Sequence, residues 1–357
     1  MRVTPPVTIT DTKFTSSTAT EPHNPSAYNA GTTYAEGIIV SVAADFANYE
    51  SLAAANTGNT PSTSPLWWRK LGVTETAYNA ATTYAAGDTV YSASTHRCYE
   101  SLVAGNVGNP LPVLPEISTA NWMDVGPTNK WAMFDLSRNT QTVTTSPLTV
   151  VVTPGQRINT VGLTGLKGNS VVISATSVTG GGTVYGPVTI DLNTRQVNDG
   201  YDYCFEPFST NPSAVVFNVP PYSDIVVTVS ISSTSGNVKC GSMVVGTYVY
   251  LGALQYGATN DGLNFSTVTR DDWGNATLVP RRTLPTTEQT LMVSSSRVNK
   301  VKQARIDLNA IPALWTGIDD STSEWFDMLS ILGIYTKFQI GAPIRSMAEI
   351  TLSLEEI

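Results

Sequence analysis

The sequence predicts a mainly β protein: two small three-stranded β-modules, a β-sandwich, and a small α+β domain at the carboxyl end. Three observations predict it. The phrase "AYNAGTTYAEG" at Ala27 returns as "AYNAATTYAAG" at Ala77, and "NYESLAAANTGN" (Asn48–Asn59) returns as "CYESLVAGNVGN" (Cys98–Asn109) in the same register. Such self-similarity marks a duplicated folding unit. Between Leu148 and Leu251, short β-branched runs alternate with Gly, Asn and Pro breaks, the pattern of sandwich strands. Near the carboxyl end a helical spacing gives way to an alternating strand.

Residues 1–24 are rich in Thr and Pro, with little periodicity beyond "VTITD". They read as an arm and candidate anchor, ordered only where it docks on a partner or on another part of its own chain. Residues 25–73 and 74–126 are the two modules. Each opens on Tyr-Asn, turns at Gly37 or Gly87, and runs through two strands, the second around Tyr49 or Tyr99. Each then loops through Asn-x-Gly-Asn and closes on Trp, the Trp67-Trp68 pair in one and Trp122 in the other. A unit of about 50 residues buries little surface and usually needs a staple. Neither copy has a Cys pair or a His/Cys metal set, so its aromatics must supply most of the core.

After the junction "DVGPTNKWAMFD" (Asp124–Asp135), residues 127–256 carry the sandwich strands: "LTVVVT", "SVVISATSV", "TVYGPVTI", "AVVFNV", "DIVVTVSI" and "SMVVGTYVYL". Residues 257–357 form the α+β domain. There Val298, Val301, Ala304, Arg305 and Leu308 keep near-helical spacing, with Ser295 or Ser296 as candidate N-cap, and Ile350, Leu352 and Leu354 alternate as a strand.

Composition narrows the function. Charged residues make up 13% of the chain, about half the usual share, which suits a rigid exterior β architecture better than a cytosolic enzyme. A net charge of −8 argues against nucleic acid or an anionic membrane as partner. Cys98, Cys204 and Cys240 are odd in number and widely spaced, which suits assembly in a reducing cytoplasm rather than a disulfide framework. The start of the chain lacks a secretory pattern, and no apolar run is long enough to span a bilayer.

Chemistry is sparse. The two histidines, His23 and His96, fall in different units, and neither a Ser-His-Asp set nor a metal-ligand spacing can be assembled. Asp271, Asp272, Asp319, Asp320 and Glu324 sit in turn-like contexts and read as solvated carboxylates rather than a glycosidase pair. "NDGYDY" (Asn198–Tyr203) is oxygen-rich but lacks the full calcium-loop pattern, and reads as a β-turn. No catalytic residue, metal or cofactor is expected.

Tyr84, Gly87, Asp88, Val90, Tyr99, Ser101, Pro110 and Trp122 stand in an order that resembles the chitin- and cellulose-binding modules of bacterial chitinases. The first copy departs at Glu36 and Ile38. The resemblance implies a saccharide site on a pair of aromatics after the Tyr-x-Ser strand. Here those stretches are Leu52-Ala53-Ala54 and Leu102-Val103-Ala104, so a sugar would need other aromatics: Trp67, Trp68, Trp122, Tyr28, Tyr34 or Tyr78. Adjacent residues on a strand point to opposite faces, so one of Trp67 and Trp68 is expected in the core and the other exposed as the ligand contact.

The whole line-up resembles tail proteins of bacteriophages and prophages. The residues that carry this are "VTPPVTITDTKFTSST", the modules, "VGPTNKWAMFD", the sandwich and "TRDDWGNATLVPRR". The resemblance implies a virion component of the tail tip or baseplate, assembled in the host cytoplasm, present in several copies and partnered by other tail proteins. Three functions stay open: a non-enzymatic tail-tip protein touching host-surface polysaccharide, a purely structural tail scaffold, and a polysaccharide hydrolase with accessory modules.

Overall fold

Strand takes up 48% of the chain and helix 7%, so the fold is mainly β. The structure, a computed structural model, describes all residues except 20–26, 43–46, 74–75, 138–139, 194–198, 206–209, 235, 271, 321–322 and 324. The readings of His23, Asn198, Asp271 and Glu324 lie outside the described residues. The chain divides into two units, one of Met1–Ala19 with Met133–Ile357 and one of Thr20–Ala132. The second unit is thus an insertion in the sequence of the first.

The inserted unit holds both modules. In the first, Ile39–Val42, Ala47–Ser51 and Trp68–Val73 form an antiparallel three-stranded sheet. In the second, Thr89–Ser92, Arg97–Ser101 and Trp122–Pro127 do the same, with Thr76–Ala77 added in parallel at the edge. That parallel addition exists in the first module as a single bridge between Ala27 and Ser41. Val40, Tyr49, Tyr34 and Trp68 build one core, and Val90, Tyr99, Tyr84 and Trp122 the other.

The matched letters of the repeat are the parts of one hydrogen-bonded staple. Asn56 and Asn106 are buried. Asn56 Nδ2 donates to Ser51 Oγ (3.0 Å) and to the Trp67 carbonyl (3.2 Å), while its Oδ1 accepts from Asn59 Nδ2 (2.8 Å). Asn106 repeats the pattern with Ser101 Oγ (3.0 Å), the Asn121 carbonyl (3.1 Å) and Asn109 Nδ2 (2.8 Å). The indole N–H of Trp68 donates to the Asn59 carbonyl, as that of Trp122 does to Asn109. The hydroxyls of Tyr34 and Tyr84 accept from the backbone N–H of Asn29 and Asn79. Most polar groups of each small core are thereby satisfied internally, as a unit without a disulfide requires; in the first module the Tyr28 hydroxyl and Asn48 Oδ1 are buried without a partner.

In the larger unit, Thr160–Thr164, Ala214–Phe217 and Ser242–Gly246 form a three-stranded sheet buried on both faces. Its Gly162 is a close-approach glycine: a Cβ there would lie 2.2 Å from Leu314 Cδ2. That face packs Val215 and Val244 on Leu314, Phe326 and Leu332. A five-stranded sheet follows the order Gly182–Asp191, Ser170–Ser177, Val226–Ser232, Leu148–Val152, Phe14–Ser17. Its alternating buried residues, among them Val150, Ile173, Val229 and Ile231, form the sandwich interior.

The carboxyl-terminal sheet reaches beyond residues 257–357. Arg2–Thr4 lies between Val249–Tyr250 and Ala313–Thr316 in an eight-stranded sheet, with Met1 and Val3 in its core. Residues 1–19, read from sequence as an arm, therefore supply one strand to this sheet and another to the sandwich. The helix Val298–Asp307 buries Val301 and Ala304, and Leu308 is buried just past its end. Ser295 and Ser296 do not cap it; they lie in a 3₁₀ turn, Ser295–Arg297, that leads into it. The "NDGYDY" stretch is not a β-turn: Gly200–Phe205 is a short helix, and Asp199 Oδ1 accepts from the N–H of Tyr201 (2.8 Å) and Asp202 (2.9 Å) at its start. Cys98, Cys204 and Cys240 form no disulfide, and burial pushes the Cys240 thiol up to about 12.

Candidate functional site on the first module

The six aromatic candidates separate into two groups. Tyr34, Trp68 and Trp122 are buried, with Tyr28 and Tyr78 packed beside them. Tyr28, Tyr34 and Trp68 form a cluster with centroids 5.3–5.9 Å apart, and Tyr78, Tyr84 and Trp122 form its counterpart. The Tyr78 hydroxyl donates to the Asn109 carbonyl (2.7 Å), and desolvation with the nearby Tyr84 raises its pKa. These rings make the module cores. Trp67 stands apart, 37% exposed where Trp68 is 2% exposed.

Alternation explains the division. Trp68 opens the third strand opposite Ser51, with its side chain inward, so its predecessor faces outward. The Leu52 N–H donates to the Trp67 carbonyl (2.9 Å), making Leu52 and Trp67 cross-strand neighbours. Both are exposed, as is Leu66 at 87%. Two residues further along each strand, on the same outward face, Arg69 lies opposite Glu50, and its Nε donates to Glu50 Oε2 (3.2 Å). An exposed pair of this kind contributes little to stability. It does hold a carboxylate and a guanidinium beside an aromatic ring.

The backbone below Trp67 is fixed. Its carbonyl accepts from both Leu52 N–H and Asn56 Nδ2, so the buried staple of the module clamps the residue that carries the exposed ring. A platform held this way loses little freedom on binding. The second module keeps the clamp and lacks the platform. Asn121 occupies the Trp67 position, accepting from Leu102 N–H and Asn106 Nδ2, and Met123 stands opposite Glu100 in place of an arginine.

Sequence reasoning named Trp67 but missed Leu66, Glu50 and Arg69. The alternation around Tyr49 and Trp68 marks Glu50 and Arg69 as outward-facing, while Leu66 lies in the turn before the strand, and the register that places them together is set across a loop. Among the described residues, no cluster of three or more His, Cys, Asp or Glu side chains could hold a metal. No protein-family model matches the chain, and no curated protein matches its sequence.

Proposed function

We propose that this chain is a non-enzymatic component of a virion tail tip or baseplate, and that its first module contacts host-surface saccharide through Trp67. The observation that carries the saccharide reading is the exposed indole on a clamped backbone, flanked by Leu52, Leu66 and the Glu50–Arg69 pair. An aromatic face covers the apolar C–H surface of a pyranose ring, and nearby charged groups bond its hydroxyls. The tail assignment rests on the resemblance of the repeat, the junction and the "TRDDWGNATLVPRR" segment. In this reading the partners are other tail proteins and host polysaccharide, and several copies in a particle strengthen a weak single site.

The second module supports a structural role instead. Its outer face offers Leu102, Val103 and Met123, which are exposed, and no aromatic at the Trp67 position. It serves as a spacer or a contact between tail subunits.

The test is co-sedimentation of the full chain with insoluble host cell-wall polysaccharide. Wild type is expected in the pellet. Trp67→Ala weakens binding by about tenfold, corresponding to about 1.4 kcal/mol, while Asn121→Trp strengthens it by adding a second platform. Equal binding of Trp67→Ala and wild type, or no binding by either, hands the first module to the scaffold reading. Mass spectrometry of purified particles checks the virion assignment, which requires peptides of this chain to be present.

A further inference from the structure

A cavity of about 360 Å³ lies in the larger unit, lined by the three-stranded sheet and by the segment that leads into the strand Ser330–Ile344. Strand register explains its polarity. Thr164 and Ser242 are cross-strand partners, and Ser213 immediately precedes the neighbouring strand Ala214–Phe217. Two residues further along these strands, Gly162 approaches Leu314, and Val244 and Val215 pack on Leu314 and Leu332. Side chains two apart share a face, so the apolar contact gives way to a row of three hydroxyls at the cavity wall. The facing wall supplies Asp327, whose carboxylate accepts from Ser213 Oγ, and Ser330, two residues before Leu332.

The cavity holds more hydrogen-bonding capacity than the chain uses. Ser330 Oγ is buried without a partner. Ser242 is 1% exposed, and its hydroxyl bonds to nothing among the described residues. The Thr164 hydroxyl is also unbonded among them, as is the side-chain amide of Gln141, which lies against Gly165. Buried polar groups nearly always find a partner. Four without one around a single space form the hydrogen-bonding set of a ligand.

We infer that this cavity binds one sugar residue of a neutral saccharide, at a site separate from Trp67. Chemistry selects the class. Hydroxyls and a carboxamide both donate and accept, and the Asp327 carboxylate accepts, which together match a ring of neighbouring hydroxyls. Among the described residues no Lys, Arg or His lines the cavity, so nothing there pairs with a phosphate or an acidic sugar. A metal ion needs several oxygen ligands gathered on one point. Among the described residues no group of three or more His, Cys, Asp or Glu side chains offers that. Leu332, Pro212 and Pro285 complete the lining and give the apolar surface that a sugar's C–H face requires. The volume falls within the about 300–1,000 Å³ of small-molecule sites.

Saturation-transfer difference NMR tests this on the full chain carrying Trp67→Ala, which removes the exposed ring of the first module from the measurement. The probes are D-glucose, D-galactose, D-mannose and N-acetyl-D-glucosamine, each titrated from about 0.1 to 10 mM. At least one is expected to receive saturation and to bind with a dissociation constant of about 1 mM. Ser242→Val, which puts an apolar side chain in the wall, weakens that binding at least about tenfold. It leaves the melting temperature unchanged or higher, because the hydroxyl it removes has no partner. Gln141→Leu, at a half-buried residue, weakens binding likewise, so the loss is not a loss of fold. Saturation of none of the four sugars, or binding by both variants equal to the parent's, overturns the inference. So does a melting temperature raised by calcium chloride and by none of the sugars, which assigns a cation site instead. Because the Trp67 ring is absent throughout, failure here leaves the module's saccharide site untouched.

Discussion

Trp68→Ala is expected to unfold the first module and leave the second folded, and Trp122→Ala to do the converse. Each tryptophan is the largest ring in its core, is almost fully buried, and donates its indole N–H to a backbone carbonyl. Truncating such a side chain costs about 3–5 kcal/mol. A unit of about 50 residues has only about 2.5–7.5 kcal/mol of stability in total. Trp67→Ala removes a half-exposed ring whose loss is expected to stay within about 0.5 kcal/mol. Hydrogen exchange read by mass spectrometry on the full chain locates the effect. Trp68→Ala should lose protection across Tyr28–Arg69 alone. Full protection there, or loss in both modules, contradicts separate cores.

Asn106→Ala is expected to destabilise the second module by about 3 kcal/mol, and Asn56→Ala to do the same in the first. The substitution removes three hydrogen bonds and leaves the half-buried Asn109 Nδ2 without its acceptor, while Ser101 Oγ keeps its bond to the Val103 carbonyl and the Asn121 carbonyl its bond from Leu102 N–H. Each group left unsatisfied costs about 1–3 kcal/mol, partly relieved by relaxation and entering water. The matching distances in the two copies predict matching costs. Asn56→Ala also frees the carbonyl of Trp67, so it should lower saccharide binding while Trp67 remains in place. Thermal melts of both variants, followed by near-ultraviolet circular dichroism, check the magnitude. A cost below about 1 kcal/mol would place the staple among ordinary surface hydrogen bonds.

The duplication made the modules readable. Letters that survive in both copies (Tyr34 and Tyr84, Ser51 and Ser101, Asn56 and Asn106, Trp68 and Trp122) are the letters of the staple. Trp67 could be paired with Trp68 as one inward and one outward ring, but not assigned. The loop before the third strand differs in length between copies, so the offset that aligns the first two strands fails there. Sandwich strands with strong alternation, such as Ser170–Ser177, were legible. Thr160–Thr164 was not, because Gly162 interrupts it, and the reason for that glycine is Leu314 far along the chain. Arg2–Thr4 is three residues long and takes its neighbours from near residues 250 and 315. No local pattern announces such a strand. The hairpin of Thr267–Arg270 and Ala276–Val279 was equally hidden, because the polar residues, Gly and Pro around Trp273 look like a loop when pairing is unknown.

The most direct measurement of the central claim is a residue-resolved titration. The full chain, labelled with ¹⁵N in its tryptophan indoles and assigned by single substitutions, is titrated with soluble fragments of host cell-wall polysaccharide. The indole N–H signal of Trp67 is expected to shift progressively and saturate, while those of Trp68 and Trp122 stay in place inside their cores. A titration in which no indole signal moves, or in which the moving signal belongs to a tryptophan other than Trp67, contradicts the account.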